Sequence, residues 1–193
     1  MAVVIREIEE KKYVSLVVFE KAYLEEIDYK YEWKNGKVIQ EYYISASERY
    51  IINNIMTKFC TTADYQQGNS IMSEADCYFS SVKSYRRPDA AYLTQAQIHH
   101  PEEAEEAPAL VIEVSSPSNS DEHNKEKILE YLEAGVQMVW YIYPQIKQVW
   151  IHTSPKEVVI CDQNSVCDMH PVVPEFRMKV REIFEKKELK LKN

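Results

Sequence analysis

The chain has 193 residues and a formal net charge of −8, with 31 Asp and Glu residues against 23 Lys and Arg residues. It contains only three glycines, at positions 36, 68 and 135, where average usage would give about 13. Because these glycines lie far apart, glycine-rich phosphate loops of the dinucleotide-binding and P-loop kinds are excluded. The acidic balance also argues against a general nucleic-acid-binding protein, which usually carries excess positive charge.

The cysteines and the first residues indicate the cellular compartment. The cysteines form no Cys-x-x-Cys pair and match no zinc pattern; they are Cys60, Cys77, Cys161 and Cys167. The opening segment MAVVIREIEEKKY mixes charges of both signs and lacks the apolar core of a signal peptide. No stretch approaches the roughly 18 uninterrupted apolar residues that span a bilayer. We therefore expect a cytoplasmic protein with reduced thiols and no membrane partner.

The first part of the chain predicts two helices around a hairpin. Residues 16–26 have the pattern of a short helix, and residues 29–43 predict a hairpin. In this hairpin, two β-prone runs flank an Asn-Gly pair, which a tight primed turn prefers. The next apolar residues recur at helical spacing, which predicts a helix over 47–63 with Ser45 or Ser47 as its cap.

The remainder of the chain predicts mainly strands and one long helix. The predicted strands cover residues 70–80, 85–93, 109–114, 136–143, 147–152 and 156–161. A helix over 121–134, capped by Ser118 or Ser120, ends at Gly135. An acidic loop at 101–107 and a C-terminal helix over 181–192 complete the pattern. The order of elements predicts one α/β domain over residues 1–193 with a mixed sheet.

Two acidic residues stand out against this pattern. Glu113 lies within the apolar run ALVIEV, where an ionised carboxylate is costly unless it is paired or binds a metal; alternatively, it ends the strand and faces water. Asp89 follows Pro88 at the beginning of another predicted strand. If the two strands are neighbours, both carboxylates lie on one side of the sheet and repel each other unless a cation separates them. Hard cations such as Mg²⁺ take such oxygen ligands.

Three segments in order resemble a known family. YRRPDAAYL, PALVIEVSSPS and DEHNKEKILEYLEAGVQMVWYI are similar to the Uma-two family, described as putative restriction endonucleases within the PD-(D/E)XK nuclease superfamily. The hairpin segment YEWKNGKVI resembles the opening segment of that family, so the resemblance runs from about Tyr31 to His152. It implies a restriction-endonuclease-like core, an α/β fold in which helices flank a mixed β-sheet and a β-hairpin precedes it.

The resemblance also implies a catalytic site. Asp89 and Glu113 would bind Mg²⁺ or Mn²⁺ on neighbouring strands. The superfamily places a lysine two residues after the second acid, where this chain has Ser115. In the Uma-two family a lysine on the following helix takes this role, and Lys127 is the match; it would orient the attacking water or neutralise phosphate charge. Alternatively, Lys127 is a solvated helix residue.

Other residues are expected to support this site. Glu48 would be an additional metal ligand, or equally an exposed acid near a helix N-terminus. Glu32 matches an acid of the family's hairpin, without an assigned role. Ser115 would donate a hydrogen bond into the site, or would serve only as a turn residue. The expected DNA contacts are Arg86, Arg87 and Lys125.

The leading hypothesis is an endonuclease that hydrolyses DNA phosphodiester bonds with a metal-activated water. The alternative is a non-catalytic binding or assembly module with the same fold, which the absence of a lysine at position 115 and the acidic balance favour. A weaker third possibility is metal-assisted hydrolysis of another phosphoester. Because superfamily nucleases often pair to cut both strands, a homodimer is a further expectation.

Overall fold

A computed structural model describes residues 13–26, 28–41, 43–46, 48–101, 106–116 and 121–187, with the side chain of residue 121 left out. The helices are α1 (Leu16–Tyr23), α2 (Arg49–Phe59), α3 (Ala63–Gln66), α4 (Gln95–His99), α5 (Asp121–Glu133) and α6 (Val180–Ile183), with a 3₁₀ turn at Ser80–Val82. The strands are β1 (Lys30–Lys34), β2 (Lys37–Glu41), β3 (Ser70–Ser73), β4 (Cys77–Phe79), β5 (Ser84–Arg86), β6 (Ala90–Leu93), β7 (Leu110–Val114), β8 (Met138–Tyr143), β9 (Gln148–Ser154), β10 (Glu157–Cys161), β11 (Val166–Met169) and β12 (Val173–Lys179).

The largest sheet is mixed, as the sequence predicts. Its strand order is β10-β9-β8-β7-β6-β3, in which β7 and β8 are parallel and the other neighbours are antiparallel. A four-stranded antiparallel sheet has the order β2-β1-β5-β4, and β11 pairs with β12 in a small hairpin. The α/β fold with an N-terminal hairpin is therefore confirmed.

Helices cover the six-stranded sheet on both faces. Apolar residues of α2 and α6 pack with Ile112 and Trp140 on one face. Ile128 and Tyr131 of α5 pack with Val111 on the other face. Since successive side chains of a strand point to opposite faces, the alternation that directs Val111 toward α5 also directs Glu113 there. Burying each large apolar side chain contributes roughly 1.5–3 kcal/mol, so this packing fixes α5 over the strand ends.

The turn between β1 and β2 contains the Asn-Gly pair, because this kind of turn requires left-handed backbone that Asn and Gly adopt readily. Asn35 has φ 44° and Gly36 has φ 89°, conformations that a primed turn needs and that glycine adopts without steric cost. The indole Nε1 of Trp33 donates to the carbonyl oxygen of Val14 at 2.7 Å, and Trp33 is buried with Phe19 of α1. Helix α1 therefore holds one face of the hairpin.

The predicted strand over 85–93 is the main difference in this region. It is two strands, β5 in the four-stranded sheet and β6 in the six-stranded sheet, with Pro88 between them. Proline has no N–H to donate to a ladder, so it marks the point at which the chain leaves one sheet for the other. This switch places Asp89 between the two sheets.

Several helix boundaries also differ from the predictions. The helix predicted over 47–63 ends at Phe59, and α3 follows as a separate turn. Its N-cap residue is Glu48, not Ser45, while Ser47 lies outside the described residues. Of the helix predicted over 181–192, the described part is helical only within α6, Val180–Ile183. The caps predicted for α5 and most of the acidic loop also lie outside the described residues.

Candidate active site

Asp89 is held where β6 and β7 lie side by side. Ala90 lies opposite Ile112 in this antiparallel pair, so Asp89 and Glu113 are the next positions along the two strands. The backbone N–H of Val114 donates to Asp89 Oδ2 at 2.8 Å, and Lys30 Nζ donates to Oδ1 at 3.2 Å. Asp89 is only 4% exposed. The structure thus brings the two predicted acids together.

Glu113 is buried, which excludes the alternative of a strand end that faces water. Its Oε1 atom accepts a hydrogen bond of 2.6 Å from the Tyr131 hydroxyl and lies 2.9 Å from Lys127 Nζ. Burial, together with the carboxylate of Asp89, holds the pKa of Glu113 above its ordinary value although the Lys127 ammonium acts to lower it. The Glu113 carboxylate is therefore held in a buried position by a hydrogen bond and an ion pair.

Lys127 enters the site from α5. Its Nζ lies 2.9 Å from Glu113 Oε1 and 3.1 Å from Glu32 Oε1, and the residue is 6% exposed. Although burial alone would lower the pKa of Lys127, the carboxylates of Glu113 and Glu32 raise it well above the ordinary value. Lys127 is thus a charged group between two acids and not a solvated helix residue.

Glu32 receives a role that the sequence leaves open. Its Oε2 accepts from Arg86 Nη1 at 2.7 Å, and Arg86 also donates through Nε and Nη2 to both carboxylate oxygens of Glu130, at 2.8 and 2.7 Å. Burial opposes ionisation of Glu32, yet Lys127 and Arg86 lower its pKa to about 2. Glu32 therefore holds Lys127 at the acids, and Arg86 holds Glu32.

Two further residues at the site were not predicted. Lys30, which is 2% exposed, contacts Asp89 and also lies 3.5 Å from Glu74 Oε2. Both Glu74 carboxylate oxygens are buried and lack a hydrogen-bond partner within the part of the chain that the structure describes. Burial, with repulsion from Asp89 and Glu113, raises the pKa of Glu74 to about 7 against the effect of Lys30. Because side chains two residues apart on a strand share a face, the sequence contained a signal that Lys30 lies beside Glu32. No pattern in the sequence indicates a role for Glu74.

Two of the predicted supporting residues do not reach the acids. Glu48 begins α2, which packs on the opposite face of the sheet, and its carboxylate accepts a 2.6 Å hydrogen bond from Ser45. Ser115 is buried, but its hydroxyl donates to Gln145 Oε1 at 3.4 Å. The position of Glu48 follows from the apolar stripe of α2, which turns toward the face carrying Ile112.

The basic residues expected to contact DNA are differently placed. Arg86 is buried and bound to Glu32 and Glu130, which leaves it outside any surface that DNA could contact. Arg87 is 8% exposed, and its Nε donates to Asp76 at 2.7 Å. Lys125 is exposed on α5 and lines a cavity of about 400 Å³. Of these three residues, only Lys125 is presented to solvent.

The donor chemistry at the strand ends fits a hard divalent cation. Within the described ranges, no three His, Cys, Asp or Glu side chains form a group able to enclose a metal ion. Mg²⁺ needs no such enclosure, because it binds through one or two carboxylates and keeps several waters. Asp89 and Glu113 supply those two carboxylates, side by side on neighbouring strands. We conclude that these residues fit the expected cation.

The fold of this chain is similar to that of a solved structure. A protein from Anabaena variabilis ATCC 29413, described as a putative nuclease belonging to DUF820, superposes with a TM-score of 0.75 at 23% sequence identity. The match covers 89% of this chain and 97% of the other. Within the described ranges, no helix is both long and apolar enough to cross a membrane.

Residues 18–181 match the family described as "Uma2: Putative restriction endonuclease", and the chain belongs to that family. The resemblance inferred from the ordered motifs is thereby confirmed. No curated protein matches the sequence.

Proposed function

We propose that this protein is a metal-dependent endonuclease that hydrolyses DNA phosphodiester bonds. One observation carries the proposal: Asp89 and Glu113 meet on neighbouring strands, and the Lys127 ammonium lies 2.9 Å from Glu113. The family resemblance assigns catalysis to these groups: two acids on adjacent strands and a lysine on the following helix. Membership of a family described as restriction endonucleases supports DNA as the substrate.

Asp89 and Glu113 would hold Mg²⁺ or Mn²⁺. When bound, such a cation lowers the pKa of a coordinated water and stabilises negative charge on a phosphate oxygen. The chain itself orients the ligands. Val114 N–H fixes Asp89 through Oδ2, while the Tyr131 hydroxyl fixes Glu113 through Oε1.

Lys127 supplies a permanent positive charge beside the two acids. Because Glu113 and Glu32 keep its pKa high, the ammonium stays protonated and can attract the scissile phosphate or donate a hydrogen bond to it. Glu32 limits where this ammonium can lie, and Arg86 in turn fixes Glu32. Lys127 thereby takes the place of the lysine that is missing at position 115.

The surface charge predicts weak DNA binding that depends strongly on salt. Lys125 is exposed on the same helix as Lys127, but the whole chain carries a net charge of −8. Phosphate contacts of lysine and arginine provide the salt-dependent part of DNA affinity, and few such contacts are available near this site. Cleavage should therefore fall steeply as salt concentration rises.

A non-catalytic module with a nuclease fold is the second candidate. The observation that favours it is that the chain's own lysines already neutralise the acids, Lys30 at Asp89 and Lys127 at Glu113. A scaffold could keep such pairs for stability alone. The two candidates differ in whether Mn²⁺ displaces this internal pairing.

Cleavage of supercoiled plasmid in Mg²⁺ or Mn²⁺ tests the proposal. We expect Asp89→Asn, Glu113→Gln and Lys127→Met each to lower the nicking rate by at least about 10–100-fold, the loss that removing even the groups that orient metal ligands typically causes. Glu48→Gln is the matched control, because Glu48 lies on the other sheet face and its loss should leave the rate unchanged.

Mn²⁺ binding, followed by electron paramagnetic resonance, separates the candidates. Binding that Asp89→Asn abolishes, together with nicking, supports the endonuclease. The absence of both binding and nicking supports the non-catalytic module, in which the lysines keep the acids paired, and contradicts the proposed metal site. Binding without nicking contradicts the proposed cleavage of DNA but not the metal site.

A further inference from the structure

Lys30 contacts the carboxylate oxygen of Asp89 that the backbone leaves open. One carboxylate oxygen of Asp89, Oδ2, is already committed to the backbone N–H of Val114 at 2.8 Å. The other oxygen, Oδ1, accepts from the Lys30 ammonium at 3.2 Å. A divalent cation that approaches Asp89 therefore meets an existing positive charge. Like charges at such short range repel strongly, and more so in a buried site than in water.

Glu74 lies within reach of the same ammonium. Its Oε2 is 3.5 Å from Lys30 Nζ, yet both of its carboxylate oxygens are buried without a hydrogen-bond partner in the described part of the molecule. The backbone N–H of Glu74 donates to the backbone oxygen of Asp89 at 3.2 Å, which fixes the two residues next to each other. Glu74 is thus a longer-range ion-pair partner of Lys30 that makes no hydrogen bond to it in the metal-free arrangement.

The lysine side chain suits a change of partner. It carries a point charge with three donors on a flexible four-carbon stem, so it can bond either carboxylate. Lys30 is 2% exposed, so its ammonium is shielded from bulk water. The nearest negative charges are the carboxylates of Asp89 and Glu74. Asp89 and Glu74 both lie within ion-pair distance of Lys30 Nζ, so the ammonium has a carboxylate partner in either arrangement.

We propose that Lys30 is a positioning residue that holds Asp89 in the metal-free protein and moves to Glu74 when a divalent cation binds. Glu74 is the acceptor that makes this exchange possible. The inference rests on the proposed metal-dependent function. It predicts that Lys30 competes with the cation, and that Glu74 aids cation binding by taking the ammonium away from Asp89.

Mn²⁺ affinity in a double-mutant cycle tests the exchange without measuring nuclease activity. We expect Lys30→Met to tighten Mn²⁺ binding, because the competing charge is gone. We expect Glu74→Gln to weaken binding by about tenfold in the presence of Lys30, which lies within the range of coupling between residues in contact. In the Lys30→Met background the same change at Glu74 should alter the affinity by less than about twofold, since no ammonium remains to be accepted.

Lys34→Met is the matched charge control. Lys34 lies on the same strand, but it pairs with Glu130 and its side chain is 43% exposed. Loss of this charge should change Mn²⁺ affinity much less than Lys30→Met does. Lys30→Gln provides a second variant if Lys30→Met does not fold, because glutamine keeps a donor for Asp89 without the charge.

Two results would overturn the inference. The first is that Glu74→Gln and Lys30→Met have additive effects on Mn²⁺ affinity. This would mean that Glu74 acts only as a general negative charge. The other is unchanged Mn²⁺ affinity on removal of the Lys30 charge. If neither the wild-type protein nor the Lys30 variants bind Mn²⁺ in a way that depends on Asp89, the proposed function fails together with the exchange. A site that binds Mn²⁺ with additive effects contradicts the exchange alone.

Discussion

The candidate site depends on individual buried charges that are each matched by a specific partner. Glu32 illustrates this best, since it is fully buried and bonds both Lys127 and Arg86. Removing one member of such a pair leaves the other charge buried without compensation, which usually costs more than the pair contributes. The same residues therefore support both the stability of the protein and the geometry of the site.

Glu32 should make stability fall in acid. Its pKa is about 2 in the folded protein, below its ordinary value of 4.5. A lowered folded-state pKa adds stability above pH 4.5, and this stability is lost as the pH falls toward 2. A shift of this size corresponds to about 3 kcal/mol. We expect Glu32→Gln to lower the free energy of unfolding at pH 7 and the difference from wild type to shrink below pH 4.5.

Urea unfolding at a series of pH values measures this difference. Glu48→Gln, at a residue whose carboxylate accepts a hydrogen bond from Ser45 and lies on the opposite face of the sheet, should run parallel to wild type throughout. If the Glu32→Gln and wild-type curves also stayed parallel from pH 7 to pH 2, Glu32 would not carry the acid dependence.

At the scale of elements, strand β1 organises most of the charge network. Lys30, Glu32 and Lys34 occupy alternate positions and therefore share one face of the strand. They pair with partners on three other segments: Lys30 with Asp89, Glu32 with Lys127 and Arg86, and Lys34 with Glu130. On the other face, Trp33 packs with Phe19 of α1. The register of this one strand therefore decides whether the site forms.

Gly36→Ala tests the role of the hairpin turn. Gly36 has φ 89°, and a Cβ there would collide with the ring of Tyr13. We expect a loss of stability of more than the roughly 1–2 kcal/mol that left-handed backbone costs a residue with a Cβ. Because the hairpin carries Lys30 and Glu32, Mn²⁺ affinity should change as well. Thermal unfolding and Mn²⁺ titration measure the two effects.

Gly135→Ala is the control for this prediction. Gly135 also has a positive φ, of 99°, but an added Cβ there would meet no atom within 4 Å. The substitution should cost only the backbone term and leave Mn²⁺ affinity unchanged. Equal losses for the two glycine variants would show that the hairpin contact does not matter.

At the scale of the whole molecule, buried ion pairs join the two main sheets to α5. Arg86 lies on β5 of the four-stranded sheet and bonds Glu32 from β1 and Glu130 from α5. Lys30 of the four-stranded sheet bonds Asp89, which directly precedes β6 of the six-stranded sheet. The site thus lies at the junction of these elements, which is a common position for binding and catalytic sites.

Arg86→Met should be strongly destabilising. It leaves Glu32 and Glu130 buried without their shared cation, and breaking such a pair costs about 3–5 kcal/mol. We expect this loss in urea unfolding. The double variant Arg86→Met/Glu130→Met should recover part of it, because one uncompensated charge is also removed. A loss below about 1 kcal/mol for the single variant would contradict the joining role of Arg86.

Local patterns in the sequence predicted much of the fold. The Asn-Gly turn predicted the hairpin, the apolar runs predicted β7 to β10, helical spacing predicted α2, and the capping signals with Gly135 predicted α5. These features depend on near neighbours in the chain, so a sequence contains them directly. The division of 85–93 into two strands was missed, because it depends on which sheet each segment joins. The hairpin of β11 and β12 was missed as well, since its connection at residues 170–172 has no Asn-Gly or Gly turn signal.

For the site, the sequence by itself singled out Glu113 within an apolar run and Asp89 after Pro88, and the family resemblance added Lys127. Only the tertiary structure decided the partners of these residues. Lys30 lies 59 positions before Asp89, and Arg86 lies 54 positions after Glu32. No local pattern records such a pairing, because the burial that gives it strength exists only after distant segments have packed. The same packing turned Glu48 to the opposite face and enclosed Arg86, which the sequence had assigned to DNA.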